Sequence, residues 1–245
     1  MEFEKEIIDK LKLAKKVAVI TGAGVSAESG IPTFRGKGGY WKNYRAEDLA
    51  TPEAFARNPN LVWEWYNMRR EVCAKAEPNP AHKIIAEMET YYPSFFLITQ
   101  NVDGLHKRAG SKKLVQIHGD IFTVRCENCK NIYELWDVPL QKIPPMCKFC
   151  NHILRPHIVW FGETYFPGVL EGCYSYLSEC DLVWIVGTSG QVATPVYLAS
   201  HAIQRGAYSI EINPEKSTLS NIVNKWIQGK AGEILPEIWE KIQKL

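Results

Sequence analysis

Long hydrophobic runs are missing from this chain of 245 residues. The longest apolar stretches, such as residues 182–186, are far shorter than the roughly 20 residues that a membrane-spanning helix needs. The first residues are acidic and include no basic segment followed by an apolar one, as a secretory leader would. We therefore expect a cytoplasmic protein that does not associate with membranes.

Neither sign of charge dominates, because 29 Lys and Arg residues balance 27 Asp and Glu residues to a formal net charge of +2. Such a balance creates no overall field for nucleic acids or anionic membranes, so we expect no sequence-specific nucleic-acid binding. With 46% hydrophobic and 23% charged residues, the composition is that of a globular protein and excludes a disordered or collagen-like chain.

Short, buried-type strand patterns recur along the chain and alternate with helical patterns. The predicted strands are residues 17–20, 95–99, 114–117, 182–187 and 208–212, with a weaker one at 157–160. The predicted helices are residues 3–15, 80–91, 168–179 and 195–205. This alternation is typical of an α/β protein with a doubly wound, parallel Rossmann-type sheet and helices on both faces.

Two segments interrupt the alternation. Residues 36–78 are rich in aromatic side chains and helical in pattern, and residues 120–155 contain four closely spaced cysteines. We predict that both form a smaller inserted lobe, a helical insertion (36–78) and a cysteine module (120–155). The sheet domain is then discontinuous, comprising residues 1–35, 79–119 and 156–245.

Cysteines number seven, an odd count that does not suit a secreted disulfide framework. Four of them form two C-x2-C pairs, Cys126 with Cys129 and Cys147 with Cys150, separated by 17 residues. Paired knuckles of this kind bind one structural zinc ion, and four thiolates leave no open coordination position for catalysis. A catalytic metal is the less favoured alternative.

A glycine turn follows the first predicted strand. Gly22, Gly24 and Ala27 fit the G-x-G-x-x-G/A pattern in its required context between a strand and a helix, which indicates dinucleotide binding. A tight turn without a ligand is the alternative. An NAD dehydrogenase would carry an acidic residue at the end of a second strand about 20 residues later, but residues 30–36 read as a loop. Hydride transfer is therefore a poor fit, and Glu211 becomes a candidate for binding the ribose.

Polar side chains follow two further predicted strands. Asn101 and Asp103 come after the strand 95–99, and His118 comes after the strand 114–117. Ligands of open α/β sheets bind at the carboxyl ends of the strands. His118 is therefore a candidate general base, although a lone histidine is more often structural. His106 is assigned a packing or capping role.

Taken together, the motifs are similar to those of the sirtuins, which are NAD-dependent protein-lysine deacylases. The resemblance covers essentially the whole chain. It rests on the four cysteines and on GAGVS at 22–26, GIPTFRG at 30–36, TQNVD at 99–103, HG at 118–119, VWFG at 159–162, GTS at 187–189 and INP at 212–214.

The resemblance implies a cleft between the Rossmann-type domain and the zinc module in which NAD and acyl-lysine meet. His118 would be the general base, Asn101 would assist catalysis, and the zinc would be structural. The residues implied to bind NAD are Gly22, Ala23, Gly24, Glu28, Thr33, Phe34, Arg35, Gln100, Asn101, Asp103, Gly187, Thr188, Ser189, Asn213 and Ala231.

In the reaction that the resemblance implies, the acyl oxygen attacks C1′ of the nicotinamide ribose and nicotinamide leaves. The histidine then helps a ribose hydroxyl to attack the resulting alkylimidate, which yields free lysine and O-acyl-ADP-ribose. NAD is consumed and no hydride moves, in agreement with the missing acidic residue.

Tyr66 and Arg69 stand at positions i and i+3 on one face of a predicted helix. They resemble the Tyr-x-x-Arg pair of the class III sirtuins, which select succinyl-, malonyl- or glutaryl-lysine. A guanidinium matches a carboxylate geometrically, so we expect preference for acidic acyl groups, with acetyl-lysine also accepted. The alternative is an amphipathic helix with a solvated Arg69 and a packed Tyr66.

One departure from the family pattern follows Ser189. The next proline, Pro195, comes one residue later than usual, after Gly190–Thr194. Two other functions remain open, a mono-ADP-ribosyltransferase that uses NAD and a non-enzymatic, zinc-stabilised NAD sensor. We expect a monomer whose partners are acyl-lysine proteins.

Overall fold

The computed structural model describes residues 5–33, 40–42 and 44–244. The helices are α1 (Lys5–Leu13), α2 (Gly24–Ala27), α3 (Ala46–Leu49), α4 (Pro52–Arg57), α5 (Pro59–Lys75), α6 (Pro80–Tyr91), α7 (Leu105–Arg108), α8 (Val169–Leu177), α9 (Ala193–Gln204) and α10 (Ala231–Lys244). The strands are β1 (Lys16–Thr21), β2 (Tyr40–Trp41), β3 (Tyr44–Arg45), β4 (Ser94–Thr99), β5 (Leu114–Gln116), β6 (Gly119–Cys126), β7 (Ile132–Glu134), β8 (Leu154–Ile158), β9 (Leu182–Val186), β10 (Tyr208–Asn213) and β11 (Lys225–Gln228).

Six strands form one parallel sheet in the order β11-β10-β9-β1-β4-β5. The central strand β1 pairs with β4 on one side and with β9 on the other, so that Ile20 lies opposite both Ile98 and Ile185. The chain winds outwards from β1 in both directions, which confirms the doubly wound α/β fold. The switch point between β1 and β9 opens a crevice at the carboxyl ends of the strands, where such folds bind ligands.

Helices cover both faces of this sheet because successive side chains of a strand point in opposite directions. On β1, Val17 and Val19 pack into the hydrophobic cluster beneath α1, α6 and α10. Ala18 and Ile20 pack into a second cluster beneath α8 and α9. Each strand of a sheet covered on both faces is therefore almost continuously apolar, the pattern by which five of these strands are predicted.

The smaller lobe combines the segment from α3 to α5 with the antiparallel sheet β7-β6-β8. One hydrophobic cluster joins the two parts, with Trp63 and Tyr66 from α5 packed among Phe122 of β6 and Trp160. The fully buried Arg70 reinforces the junction, because its guanidinium donates to the carbonyl oxygens of Ile121, Leu135 and Asp137.

The structure differs from the sequence prediction at several elements. The strand expected at 157–160 is β8, which pairs antiparallel with β6 in the small sheet and crosses the predicted boundary at residue 155. Residues 36–78 contain the short β2–β3 hairpin besides helices. The edge strand β11 and the amphipathic helix α10 were not predicted. No helix within the described residues is long and apolar enough to cross a bilayer.

Candidate active site

Two strand-end turns cross each other at the centre of the crevice. The amide of Gly24, after β1, donates to the carbonyl oxygen of Gly187, after β9, over 2.8 Å. A Cβ atom at Gly24 would lie 2.7 Å from that oxygen, and one at Gly187, where φ is +63°, would lie 2.4 Å from the amide nitrogen of Val25. The glycines thus permit close contact between the two turns, which is a physical reason for small residues besides the dinucleotide binding that the motif predicts.

Ser26 connects the helix after β1 to the residues after β4. Its hydroxyl donates to the carboxylate of Asp103 over 2.8 Å and accepts a hydrogen bond from the side-chain amide of Asn101 over 3.0 Å. Asp103 also accepts from the amide of Leu105 and is only 5% exposed. Burial raises the pKa of Asp103, and these hydrogen bonds oppose the rise. Asn101 and Asp103 are thereby oriented from behind by one serine.

Two buried histidines continue this network beneath the crevice. His82 of α6 accepts from the amide of Asn79 at Nδ1, so its Nε2–H group faces the hydroxyl of Ser26 at 3.3 Å. His106 contacts the hydroxyl of Thr21 through Nε2 at 3.0 Å, and the two imidazole rings lie 4.7 Å apart. Burial lowers the pKa of His82 to about 4 and that of His106 well below its ordinary value, so both are neutral. The packing role predicted for His106 is confirmed.

Ser26 and His82 were not predicted as site residues. Ser26 belongs to the GAGVS motif, but the motif does not indicate that the Ser26 hydroxyl contacts Asn101 and Asp103. His82 follows the helix-capping Asn79 by three residues, a spacing that explains only its local hydrogen bond. Only the packing of α6 against the sheet brings the imidazole beneath the strand ends.

His118 lies half-buried at the end of β5. Its Nδ1 is 3.0 Å from the carbonyl oxygen of Gln100, and its Nε2 is 3.3 Å from the hydroxyl of Tyr165. Burial lowers the pKa of His118 and the Gln100 carbonyl opposes this, so the imidazole is neutral at pH 7. A neutral imidazole at a strand end can accept a proton, as a general base must.

Gly119 is required after His118 by the backbone. Its φ angle is +91°, and a Cβ atom would lie 2.0 Å from the carbonyl oxygen of His157 on β8. The structural role of Gly119 is to let the chain turn from the main sheet into the small one directly beside His118.

Neutral polar groups link the ends of β4, β9 and β10. The side-chain amide of Gln100 donates to the hydroxyl of Thr188 over 3.1 Å, and that of Asn213 donates to the carbonyl oxygen of Thr188 over 3.1 Å. Ser189, next in the chain, is exposed. Amides and hydroxyls are suited to sugar hydroxyls and to a carboxamide, so this donor set fits the nicotinamide and ribose parts of NAD.

A separate contact joins α2 to α10, because the Glu28 side chain extends from the end of α2 to the amino terminus of α10. Its carboxylate accepts from the amide of Gly232 over 2.8 Å, beside the buried Ala231. Glu211 was expected to bind the ribose, but this expectation is wrong. Its side chain is fully buried, and its carboxylate accepts a hydrogen bond from Ser220 over 2.6 Å. Thr33 is half-buried. Phe34 and Arg35, both predicted to bind NAD, lie outside the described residues.

Tyr66 and Arg69 do share one side of α5. The Tyr66 hydroxyl accepts from the indole nitrogen of Trp160 over 2.8 Å, and the Arg69 guanidinium lies over the Trp65 ring at 5.0 Å. Burial raises the pKa of Tyr66 to about 12, and the charge of Arg69 opposes that rise. The charge of Arg69 also opposes the raised pKa of Asp103.

The four predicted zinc ligands come together. The ligand atoms of Cys126, Cys129, Cys147 and Cys150 all lie within 4.8 Å of one another. Two of the sulfur–sulfur distances are 3.4 and 3.6 Å. A tetrahedral ion with bonds of about 2.3 Å holds its sulfurs about 3.8 Å apart, so the cluster fits one zinc ion.

Each C-x2-C pair has the same local geometry. The residue after the second cysteine, Lys130 or Asn151, has a positive φ and donates its amide to the carbonyl oxygen of the first cysteine. The resulting tight turns direct both sulfurs of a pair to one point. The side-chain amide of Asn131 also donates to Cys129 Sγ, and this hydrogen bond lowers the pKa of the thiol.

Comparison with known proteins decides the family. The sequence pattern of the Sir2 family matches residues 22–194, well over half of the chain. The chain belongs to the Sir2 family. Two relatives, each named NAD-dependent protein deacylase, occur in Leptospira interrogans and Aquifex aeolicus. They are 52% and 48% identical, over 97% and 93% of this chain and over 98% and 95% of their own lengths.

Solved Sir2 structures share the whole fold. A Sir2 homologue in complex with NAD has a TM-score of 0.94 at 42% identity, over 99% of this chain and 95% of that one. A Sir2 protein bound to a p53 peptide and NAD has a TM-score of 0.88 at 29% identity, with both chains covered completely. The fold described above is therefore the Sir2 fold, with one parallel sheet and one four-cysteine module.

Proposed function

We propose that this Sir2 protein is an NAD-dependent protein-lysine deacylase whose general base is His118. The observation that carries the proposal is the neutral imidazole of His118 at the carboxyl end of β5, which lies 3.0 Å from the Gln100 carbonyl oxygen in the segment after β4 that also contains Asn101 and Asp103. The NAD-dependent deacylase names of its relatives support the same activity. We also propose that it acts in a reducing compartment such as the cytoplasm, because the seven cysteines form no disulfide and four of them are placed to bind zinc.

NAD would supply an activated C1′ of the nicotinamide ribose, which the acyl oxygen of the lysine substrate can attack. The amides of Gln100 and Asn101 and the carboxylate of Asp103 would orient the nicotinamide and its ribose. The neutral His118 would take a proton from a ribose hydroxyl through Nε2, because Nδ1 donates to the Gln100 carbonyl. Asn213 and Ala231 would lie near the adenosine.

We further propose that the preferred acyl group carries a carboxylate. Trp160 donates to the Tyr66 hydroxyl, so the phenol would give its own proton to an acyl carboxylate that lies beside it. Arg69 holds its charge against the Trp65 ring on the same side of α5. A hydroxyl donor and a guanidinium together suit a succinyl, malonyl or glutaryl group, and a neutral acetyl group would use neither.

Two other functions predict different products. A mono-ADP-ribosyltransferase would leave ADP-ribose on the target protein, and an NAD sensor would release no nicotinamide. A base whose acceptor nitrogen faces the crevice favours the deacylase over the sensor, because binding alone requires no proton transfer.

The deciding experiment is an endpoint assay by mass spectrometry. The protein and NAD are incubated with two peptides of one sequence, carrying acetyl-lysine or succinyl-lysine. We expect faster removal of succinyl, with equal amounts of nicotinamide and O-succinyl-ADP-ribose. Removal of acetyl alone would retain the deacylase and reject the carboxylate pocket. ADP-ribose on protein, with both peptides intact, would favour the transferase.

A substitution tests the acyl pocket directly. Arg69→Met keeps an unbranched apolar side chain but removes the guanidinium that would bind the acyl carboxylate. A charge-assisted hydrogen bond is worth about 1.5–3 kcal/mol, so kcat/KM for the succinyl peptide should fall at least about 10-fold. The value for the acetyl peptide should change little. Arg205→Met, at the exposed end of α9, is the matched control. Equal losses on both peptides would refute the assignment.

A further inference from the structure

Tyr165 contacts the proposed base from the loop between β8 and α8. Its hydroxyl lies 3.3 Å from His118 Nε2, and the centres of the two rings are 5.7 Å apart with an angle of 32° between their planes. The mechanism described above assigns no role to this tyrosine.

The direction of this hydrogen bond follows from the other ring nitrogen. The Gln100 carbonyl oxygen, 3.0 Å from Nδ1, can only accept, so Nδ1 carries the proton of the neutral imidazole. Nε2 therefore has a free lone pair, and Tyr165 must be the donor. The phenolic hydroxyl thus donates to the same nitrogen, Nε2, that would accept the proton of a ribose hydroxyl.

We propose that Tyr165 is a positioning residue for His118, and that its hydroxyl holds the imidazole with Nε2 as the acceptor until a substrate hydroxyl takes its place. The proposal rests on the deacylase function for the identity of that substrate. The contact itself, from the tyrosine hydroxyl to Nε2, is a property of the protein alone. Tyr165 acts through His118 and is not itself a catalytic residue.

The segment that carries Tyr165 is anchored on its amino-terminal side. Glu163, two residues earlier, accepts from Arg155 over 2.8 Å and from the amide of Trp160 over 2.9 Å. Arg155 is only 6% exposed, so this ion pair is well shielded from water. A tyrosine held this way can approach His118 at a defined distance.

The phenol of Tyr165 is protonated at neutral pH and therefore able to donate. Burial raises the pKa of Tyr165 above its ordinary value, and the side chain of Thr194, in the first turn of α9, opposes that rise.

The effect of the Tyr165 hydroxyl on the pKa of His118 can be measured, because few other groups influence that pKa. Burial lowers the pKa of His118 and the Gln100 carbonyl raises it, whereas no charged side chain of the described residues contributes to the shift. The Tyr165 hydroxyl donates to the neutral imidazole and not to the imidazolium. Its removal should therefore raise the pKa of His118.

The test is a ¹⁵N NMR titration of the His118 imidazole in the whole protein without substrate. Tyr165→Phe removes one oxygen and keeps the ring. Since a hydrogen bond contributes a net free energy equivalent to roughly 0.5–1 pKa unit, we expect the pKa of His118 to rise by about that amount. The Nε2 chemical shift of the neutral form should also move towards that of an unbonded nitrogen. Tyr197→Phe, at a 63% exposed position on α9, should change neither value.

An unchanged pKa and Nε2 shift in Tyr165→Phe would overturn the proposal. The pH profile of kcat/KM gives a second readout, because its acidic limb reports the pKa of the free base. That limb should move to higher pH by the same amount in Tyr165→Phe. If the wild-type protein releases no nicotinamide, the deacylase function fails, and the NMR titration still decides whether Tyr165 holds His118.

Discussion

The main sheet and the smaller lobe are held together in different ways. Two continuous apolar layers enclose the main sheet, and all six of its strands contribute side chains to them. The smaller lobe has one hydrophobic cluster, which contains many aromatic rings and is supplemented by polar contacts. Arg70 binds three backbone carbonyls there, and four thiols lie at its edge.

The difference follows from regularity. Parallel strands and their crossover helices bury side chains at fixed periods, so burial alone can hold the sheet. The smaller lobe contains short strands and irregular loops, whose carbonyl groups find no partners in a ladder. Arg70 donates to three of those carbonyl groups, and the metal site fixes the turns that carry its four cysteines. Substitutions in the two regions should therefore have different consequences.

Loss of the metal should have the largest effect. Binding of structural zinc contributes about 10 kcal/mol or more to the folding of small zinc modules. We expect that treatment with a strong chelator, or Cys147→Ser, unfolds the cysteine module and abolishes activity. Hydrogen exchange followed by mass spectrometry should show lost protection in β6, β7 and β8 but retained protection in β1 and β9.

The control for metal removal is Cys173→Ser, since Cys173 is a buried thiol of α8 that belongs to no metal cluster of the described residues. It should keep both the metal and the module. If β6 to β8 remained protected after the zinc had been removed completely, the metal would not be structural.

Removal of the buried guanidinium should come next. Arg70→Met leaves three carbonyl oxygens without donors, which we expect to lower the free energy of unfolding by about 4 kcal/mol. Arg69, one position earlier on α5, is half-buried. Arg69→Met should therefore lower the free energy of unfolding by less than about 1 kcal/mol. Urea unfolding of both variants measures the difference. Similar losses in the two would show that the carbonyl contacts of Arg70 contribute little.

Acidification should produce a smaller effect that originates beneath the main sheet. The pKa of His82 is about 4 in the folded protein, below its ordinary value of about 6.5. The unfolded chain therefore takes up a proton first as the pH falls, so stability is fully present above about pH 6.5 and declines towards pH 4. His82 alone should lower the free energy of unfolding by about 2 kcal/mol between pH 7.5 and pH 5.

The comparison that isolates this histidine is His82→Gln. This variant should be less stable at pH 7.5, because the hydrogen bonds at Asn79 and Ser26 change. It should then lose about 2 kcal/mol less than the wild type on acidification to pH 5. Equal losses in both proteins would mean that His82 is not held neutral, and would remove the buried histidine from the explanation.

Much of the fold and part of the site could be predicted from the sequence. The apolar runs that became β1, β4 and β9 are local patterns, and so are the cysteine spacings. Asn101, Asp103 and His118 were expected together because parallel strands end at one edge of a sheet. Edge strand β11 was missed because only one of its four residues, Ile227, is buried, so its sequence has no apolar run, and β8 was assigned to the wrong sheet because a short run does not specify its neighbours.

The alternation of strands and helices, the composition of the zinc cluster and the family can all be recognised in the sequence, since each depends on residue types at fixed short spacings. The burial of Arg70 but not of Arg69, the need for a small residue at Gly24, and the positions of Ser26, His82 and Tyr165 behind or beside the site residues become visible only in the folded chain. These relations join segments 50 or more residues apart for Ser26 and His82, and 47 apart for Tyr165 and His118. Such contacts depend on how the helices and loops pack against the sheet, which no local pattern contains.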